Sequence, residues 1–254
     1  MAEQAGRRAV MITGASYGVG QATALAFARA GYDVAVTATR AGNLDATIAA
    51  LAGTGVRAAP VVLDLASQAS IEQAMVDALA ALGRLDVLVN NAGVHGRTPA
   101  VDITREEWAG VFSTNLDGTF FLTQQLARHV IAAGRPASVV NITSTHAIVG
   151  IANRLMYGTS KAAVQHLTRM LAIEWADHGI RVNAIAPGRM MTPSPNREET
   201  AADTEYVASM IKRIPLHRMA SAEDVAAAAL FLAGDQAGVI TGHILVIDGG
   251  LTVV

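Results

Sequence analysis

The segment Thr13-Gly-Ala-Ser-Tyr-Gly-Val-Gly20 joins a short apolar run, residues 9–13, to an Ala-rich segment of helical period that starts at Gln21. Glycines at this point allow a tight turn and let the backbone come close to a bound phosphate. The N–H groups and the positive end of the following helix would then face the negative charge of a pyrophosphate. The order of strand, glycine turn and helix therefore predicts a dinucleotide site. Its spacing, Gly-x-x-x-Gly-x-Gly, is a variant of the common Gly-x-Gly-x-x-Gly pattern.

Short apolar runs and Ala-rich segments of helical period alternate along the rest of the chain. The strand candidates are residues 9–13, 34–37, 59–63, 87–89, 138–143, 182–186 and 244–247, and the helix candidates are 18–30, 43–53, 67–83, 104–132, 156–178 and 221–233. Strands that are covered by helices on both faces are hydrophobic almost throughout, without polar alternation. The pattern predicts a doubly wound α/β Rossmann fold, with a seven-stranded parallel sheet and helices on both faces.

One segment, residues 189–213, interrupts this alternation. It follows Pro187-Gly188, contains Pro193 and Pro195, and returns to a helical pattern before Pro215. Long irregular segments in compact domains are usually lids or binding loops, and the alternative is a disordered insertion. We find no linker or repeat that would divide the chain. The prediction is a single Rossmann-type dinucleotide-binding and catalytic domain, 1–254, with a substrate lid at about 189–213.

Composition excludes several classes of function. The formal net charge is −2, whereas binding of nucleic acid or anionic lipid by charge needs clustered Lys and Arg. The longest uninterrupted apolar run, 225–233, is far shorter than the ~18 residues that indicate a membrane span. The chain has no cysteine, and its seven histidines show no metal-ligand spacing. We therefore expect a cytoplasmic protein with a small-molecule substrate, and with no nucleic-acid partner, no membrane partner and no metal.

A second cluster of chemically useful residues follows the fifth strand candidate. Tyr157 and Lys161 are four residues apart and would share one face of a helix, with Ser144 in the preceding loop. A free tyrosine has a pKa near ~10, and a nearby cation lowers it by favouring the phenolate. Tyr157 could then exchange a proton with an alcohol or carbonyl oxygen. The alternative is an ordinary exposed pair, because this spacing is common on helices.

Several separated motifs occur together in one order: the glycine turn, Asn90-Asn-Ala-Gly93, Asn115, Ser144, Tyr157, Lys161 and Pro187-Gly188. In this combination the chain resembles the short-chain dehydrogenase/reductase family, from Ile12 to Asp248-Gly249-Gly250, and most of all the β-ketoacyl carrier protein reductase type. The resemblance implies an NAD(P)(H)-dependent oxidoreductase that interconverts a carbonyl and a secondary alcohol by hydride transfer. It also implies a homotetramer.

The resemblance assigns a role to each matching residue. Tyr157 is implied as general acid or base, Lys161 as the partner that lowers its pKa and holds the nicotinamide ribose, and Ser144 as a hydrogen-bond donor to the substrate oxygen. Asn115 is implied as the residue that holds a water in a proton relay. The implied cofactor-binding residues are Gly14, Ser16, Tyr17, Gly18, Val19, Gly20, Thr39, Arg40, Asp64, Leu65, Asn91, Ala92, Gly93, Tyr157, Lys161, Pro187, Gly188 and Thr192.

The end of the second strand candidate bears on the choice of cofactor. An acidic side chain there would bind the ribose 2′-hydroxyl of NAD, whereas this chain has Thr39 and Arg40, which could accommodate a 2′-phosphate. NADP(H) is therefore favoured over NAD(H), and the alternative is that Arg40 is a solvated loop residue. Tyr17 stands where many NADP-using relatives carry Arg, which weakens this preference. Asp64 could bind the adenine amino group or could cap the segment that follows it.

The substrate pocket is expected to be built from loop residues. The residues expected near the substrate are His95, His146, Met190 and Met191. Asn153 and Arg154 could bind a polar or acidic substrate group, and the alternative is that they face a neighbour or solvent. We expect a 3-oxoacyl-thioester reductase or another ketone reductase. The alternatives are a sugar, polyol or hydroxysteroid-like alcohol dehydrogenase that uses NAD, and a non-catalytic dinucleotide-binding protein.

Overall fold

A single seven-stranded parallel sheet organises the molecule, as the sequence predicts. The computed structural model describes residues 6–190 and 201–254. The strands are paired in the order β3-β2-β1-β4-β5-β6-β7. Their bounds are β1 Ala9–Ile12, β2 Asp33–Ala38, β3 Ala58–Val62, β4 Val87–Asn90, β5 Ala137–Ile142, β6 Ile180–Pro187 and β7 Ile244–Ile247.

Helices cover both faces of this sheet. They are α1 Gly18–Arg29, α2 Asp45–Leu51, α3 Gln68–Leu82, α4 Arg105–Phe112, α5 Gly118–Ala132, α6 Leu155–Glu174, α7 Ala201–Arg213 and α8 Ala222–Ala233. One hydrophobic cluster joins α3, α5 and α6 to the sheet, and a second joins α1, α2 and α8 to its other face. Alternate residues of one strand enter opposite clusters: Val10 and Ile12 belong to the second, and Met11 to the first. This burial on both faces explains why the strands lack polar alternation.

The long helix predicted at 104–132 is in fact two helices. A π-helical turn, Ser113–Asp117, separates α4 from α5, and the Gly118 N–H donates to the carbonyl of Ser113, five residues back. The segments on either side of the turn are both helical and the turn has no distinctive composition, so the sequence did not reveal it. The turn matters for the site because it contains Asn115, which is fully buried.

The predicted lid lies only partly within the described residues. Arg189 and Met190 are described, and Met190 forms an isolated parallel bridge with Ala220. Helix α7 occupies the end of the predicted segment, whereas Met191 and Thr192 lie outside the described residues. None of the described helices combines the length and the apolar character that crossing a bilayer requires.

Candidate active site

The carboxyl ends of the strands border a cavity of about 500 Å³. In an open α/β sheet this is the expected place for a ligand, at the point where the strand order reverses. Here that point lies between β1 and β4. The residues that line the cavity include members of every predicted group, namely Gly14, Ser16, Tyr17, Val19, Thr39, Leu65, Asn91, Ala92, Gly93, His95, Ser144, Tyr157, Lys161, Pro187, Gly188 and Met190.

The glycine turn at one end of the cavity fits a pyrophosphate. Gly14 and Gly18 have φ of +63° and +58°, values that other residues rarely adopt. A Cβ at position 20 would overlap the carbonyl oxygen of Gly14, so that helix α1 can start here only with glycine. No side chain caps the amino end of α1, whereas Ser67 caps α3 and Ser221 caps α8. The first N–H groups of α1 therefore remain without a side-chain acceptor, as anion binding requires.

The segment after β4 is tied to the glycine turn by hydrogen bonds. The hydroxyl of Thr13 accepts from the N–H groups of Asn91 and Ala92, both at 2.9 Å. The side-chain amide of Asn91 donates to the carbonyls of Thr13 and Gly14, both at 3.0 Å. A Cβ on Gly93 would press on Asn115 Oδ1 and Lys161 Nζ. These contacts hold the glycine turn and the segment after β4 together where both line the cavity.

The residues predicted to select the cofactor differ in their position relative to the cavity. Thr39 lines the cavity, whereas Arg40 is exposed and is not among the lining residues. Asp64 is also outside the lining set, and its carboxylate accepts the N–H of Ala66 at 2.9 Å within the loop before α3, whose cap is Ser67. Asn43 also lines the cavity. It is not part of a recognisable motif, so the sequence did not identify it as a site residue. No Asp or Glu occurs among the described residues that line the cavity.

Tyr157 and Lys161 project from α6 into the other end of the cavity, next to Ser144. Both side chains are buried, and Lys161 Nζ lies 5.9 Å from the centre of the Tyr157 ring. The ammonium of Lys161 donates to the carbonyl of Ile142 at 2.9 Å. Ser144 follows β5, and its Oγ accepts the N–H of His146 at 3.1 Å. Gln165 donates to the Ser144 carbonyl and thereby helps to hold this residue in place.

The acidity of Tyr157 differs from the sequence prediction. We expected Lys161 to lower the pKa of the phenol, but burial raises the pKa of Tyr157 above 10.0, although a hydrogen bond with Ser144 and the charge of Arg154 act in the opposite direction. Burial also lowers the pKa of Lys161 from 10.5 to about 8. The prediction was wrong in direction because the cost of burying a phenolate exceeds the gain from nearby positive charge.

Asn115 holds two parts of the site together through its side chain. Its Oδ1 accepts the N–H of Val94 at 2.8 Å, and its Nδ2 donates to the Val94 carbonyl and to Ser160 Oγ, both at 3.0 Å. Ser160 in turn donates to the carbonyl of Tyr157 at 2.8 Å. The side chain therefore links the loop after β4 to α6. Its role in holding a water stays a prediction.

Two predicted substrate residues surround the Tyr157 ring. The His95 ring lies 4.3 Å from it, centre to centre, and the His146 ring lies edge-on at 5.8 Å. Burial and the charges of Arg154, Lys161 and Arg97 lower the pKa of His95 to about 4, so this histidine is neutral at physiological pH. His146 lines an adjoining cavity instead of the first one.

Comparison with known proteins agrees with this geometry. A family model described as enoyl-(acyl carrier protein) reductase matches residues 14–252. The chain belongs to the short-chain dehydrogenase/reductase family. As a member of this family, it is an NAD(P)-dependent oxidoreductase that acts on CH–OH groups.

Relatives within the short-chain dehydrogenase/reductase family act on different substrates. Gluconate 5-dehydrogenase of Gluconobacter oxydans is 35% identical over 247 residues, which cover 96% of this chain and 94% of the relative. The 3-oxoacyl-(acyl-carrier-protein) reductase of Thermotoga maritima is 37% identical over 244 residues, which cover 96% of this chain and 97% of the relative. The β-ketoacyl carrier protein reductase type is thus one of several related types.

A solved structure from Agrobacterium tumefaciens contains bound NADP, and its assignment as a 2-deoxy-D-gluconate 3-dehydrogenase is provisional. It is 37% identical to this short-chain dehydrogenase/reductase, covers 98% of both chains and superimposes with a TM-score of 0.88.

Proposed function

We propose that the chain interconverts a ketone and a secondary alcohol at Tyr157, with Ser144, Lys161 and Asn115 completing the site. The observation that carries this proposal is the convergence of Ser144, Tyr157 and Lys161 in one cavity that also includes the glycine turn. Ser144 comes from the loop after β5, and the other two come from α6.

The protein's part in the reaction is to position the substrate oxygen and to move one proton. A bound nicotinamide cofactor would supply the hydride during reduction and accept it during oxidation. The Tyr157 phenol gives its proton to the substrate oxygen during reduction and removes it during oxidation. The Ser144 hydroxyl donates a hydrogen bond to the same oxygen, and such a donor is typically worth ~3 kcal/mol in the transition state. Lys161 binds the cofactor beside Tyr157, and the burial of both side chains keeps water away from the proton transfer.

Burial raises the pKa of Tyr157, so the phenol keeps its proton at neutral pH and can donate it to a ketone oxygen. The candidate substrates are a 3-oxoacyl thioester or another ketone and, as a second class, a sugar acid or polyol. The second class gains support from the arginines whose charge acts on His95 and His146, because they favour polar or acidic substrates.

A substrate panel tests the activity. We expect a change in absorbance of the reduced nicotinamide when the protein is mixed with cofactor and a set of 3-oxoacyl thioesters, simple ketones, polyols and sugar acids. A reaction mixture without protein is the control. No change with any compound and either cofactor would favour the alternative, a non-catalytic dinucleotide-binding protein.

We propose further that NADP(H) is preferred over NAD(H). Thr39 lines the cavity, and a 2′-phosphate would meet no carboxylate there among the described lining residues. The Agrobacterium tumefaciens relative with bound NADP supports the same preference.

The variant Thr39→Asp tests this preference. The introduced carboxylate is expected to weaken NADPH binding at least about tenfold through charge repulsion, while NADH binding changes little or improves, because the carboxylate can accept from a 2′-hydroxyl. Dissociation constants from fluorescence titration with each cofactor measure the effect. Thr39→Asn is the matched control, with a similar shape and no charge. Equal weakening of both cofactors by Thr39→Asp would contradict the preference.

The remaining features are also proposals. Residues 1–254 form one domain with a substrate lid at about 189–213, and Arg40, Asp64, Pro187, Gly188 and Thr192 belong to the cofactor site together with the lining residues. The protein is a cytoplasmic homotetramer. Light scattering coupled to size-exclusion chromatography measures the assembly, and a monomeric mass of 26.3 kDa would contradict it.

A further inference from the structure

Beside the Tyr157 cavity lies a second cavity of about 450 Å³. His146 lies between the two, because it lines the second cavity and its ring packs edge-on against Tyr157. Arg154 is the sole Asp, Glu, Lys or Arg among the described residues that line this second cavity. An anion that entered it would therefore meet a guanidinium and no competing carboxylate from the lining.

We infer that Arg154 binds a carboxylate of the substrate, so that the preferred substrates are hydroxy acids and keto acids. This inference rests on the proposed function, because it assigns the substrate class of the same site.

The backbone around Arg154 is held in a defined position. Asn153 has φ of +58°, in the left-handed region that non-glycine residues rarely adopt, and this conformation turns the chain immediately before Arg154. Arg154 is the N-cap residue of α6, and its carbonyl accepts the N–H of Gly158 at 2.8 Å. Tyr157 follows three residues later on the same helix. Arg154 and Tyr157 are thus attached at the same end of one helix, which limits the distance between a carboxylate bound to Arg154 and the reacting oxygen.

The positive charge of Arg154 acts on Tyr157 and on the two histidines beside it. It contributes to the lowered pKa of His95 and His146 and opposes the rise in the pKa of Tyr157 that burial causes. Arg97 and Arg189 add positive charge at His95 and His146 respectively. The electrostatic contributions at these three rings all come from cationic or histidine side chains, and no carboxylate of the described residues contributes. Among the described residues, the charges that act on these rings are therefore positive, although the chain as a whole has a net charge of −2. Such a local field attracts an anionic substrate.

A carboxylate close to the reacting carbon of the substrate fits this position better than an anionic group far from that carbon. Arg154 shares the lining of the second cavity with His146, whose ring packs against Tyr157, so we place the ligand of the guanidinium close to the carbon that reacts. In a carrier-protein thioester the nearest phosphate is separated from the carbonyl by the whole pantetheine arm. In a hydroxy acid the carboxylate and the hydroxyl are on neighbouring or nearby carbons. A guanidinium has five N–H donors, so it can bind a carboxylate through two parallel bonds and keep a contact within the protein.

His146 supplies a second polar group for such a substrate. Its Nδ1 is buried and has no hydrogen-bond partner among the described residues. Burial and the charges of Arg154 and Arg189 lower its pKa, which favours the neutral ring. A neutral imidazole can accept from a substrate hydroxyl or donate to a substrate oxygen, according to its tautomer. A polyhydroxylated acid would use both Arg154 and His146.

The test compares each acid with its amide. Steady-state kinetics are measured for a series of 2-hydroxy acids, 3-hydroxy acids and aldonic acids, and for the matching amides, with the wild type, Arg154→Gln, Arg154→Lys and Arg97→Gln. The amides keep the size and most hydrogen-bonding groups of the acids and lack the charge. Arg97→Gln removes an exposed cation near His95 that lines neither cavity, so that it measures the general field.

We expect the wild type to prefer acids over amides. Arg154→Gln should reduce this preference on the order of tenfold to a hundredfold, mainly through KM, as loss of a charge-assisted hydrogen bond predicts. Arg154→Lys should restore part of it, because it keeps the charge without the two parallel donors. Arg97→Gln should change it less than about threefold.

Other outcomes overturn the inference. It fails if the wild type prefers amides, if Arg154→Gln leaves the acid-to-amide ratio unchanged, or if Arg97→Gln has the same effect as Arg154→Gln. If Arg154→Gln does not fold, by circular dichroism, Arg154→Lys decides in its place, since an unchanged ratio in that variant contradicts recognition through two donors. The proposed function is tested separately, because a wild type that reduces neutral ketones but no keto acid overturns this inference alone. A wild type without turnover of any ketone or alcohol overturns both.

Discussion

Replacing Tyr157 by Phe is expected to lower kcat about a thousandfold, because the variant lacks the hydroxyl that exchanges a proton with the substrate oxygen. The Phe ring keeps the packing against His95 at 4.3 Å and fills the same buried volume, so the cavity should keep its shape. Binding of NADPH should change less than about threefold. Single-turnover and steady-state kinetics measure the chemical step, and fluorescence titration measures the dissociation constant of the cofactor.

A second Tyr-to-Phe change provides the control for this experiment. Tyr32 is as buried as Tyr157 and packs edge-on against Phe27 at 5.1 Å, on the face of the sheet that carries α1. Tyr32→Phe should retain kcat within about twofold. Turnover of Tyr157→Phe within tenfold of the wild type would contradict the assigned role. A parallel loss in Tyr32→Phe would show a general effect of removing a buried hydroxyl.

The fold could be predicted from sequence because its signals are local. An apolar run, a glycine turn and a helical period each occupy one short segment, and their order specifies a parallel sheet. Much of the candidate site could be predicted for a related reason: Gly14, Gly93, Ser144 and Tyr157 each follow a strand or begin a helix, and the parallel sheet brings those points to one edge. The family resemblance supplied the roles that spacing alone leaves open.

What the sequence did not predict depends on three-dimensional surroundings. The π-helical turn at 113–117 adds one residue to a helical ladder without a distinctive composition. The direction of the Tyr157 pKa shift depends on how deeply α6 is buried, which an i, i+4 spacing does not reveal. The second cavity is lined by both His146 and Arg154, which a loop separates in the sequence. Only the folded chain shows that none of the described residues that line it is a carboxylate. Asn43 enters the first cavity because β2 ends beside the glycine turn.

Replacing Lys161 by Met is expected to lower kcat on the order of a hundredfold and to change how stability depends on pH. The chain has one other lysine, Lys212, which is exposed on α7 and gives the control variant Lys212→Met. Lys161 lies beside Tyr157 and is fully buried, whereas Met has a similar length and no charge. Loss of the ammonium removes the cation that we propose to position the cofactor next to the proton donor. Lys212→Met should retain wild-type kcat.

The effect on stability has a defined sign and pH range. The pKa of Lys161 is about 8 in the folded state and near 10.5 when the chain is unfolded. Below pH 8 both states are protonated, and the folded state bears the full cost of burying the charge. As the pH rises from 8 to 10.5 the folded state loses its proton first, so the unfolded state binds more protons and the free energy of unfolding increases.

Wild-type protein should therefore gain stability relative to Lys161→Met across this range, by on the order of 3 kcal/mol, because each pKa unit corresponds to about 1.4 kcal/mol. The measurement is urea unfolding of wild type, Lys161→Met and Lys212→Met at pH 7, 8, 9 and 10. Groups that titrate in all three proteins contribute equally and cancel when the free energies of unfolding are subtracted. The pH dependence of the difference between wild type and Lys161→Met therefore reports on the Lys161 ammonium. A difference that stays constant from pH 7 to pH 10 would mean that Lys161 keeps its proton in the folded state. The cation would then be stabilised by a counter-charge that the described residues do not provide, and the account of Lys161 as an uncompensated buried charge beside Tyr157 would be wrong.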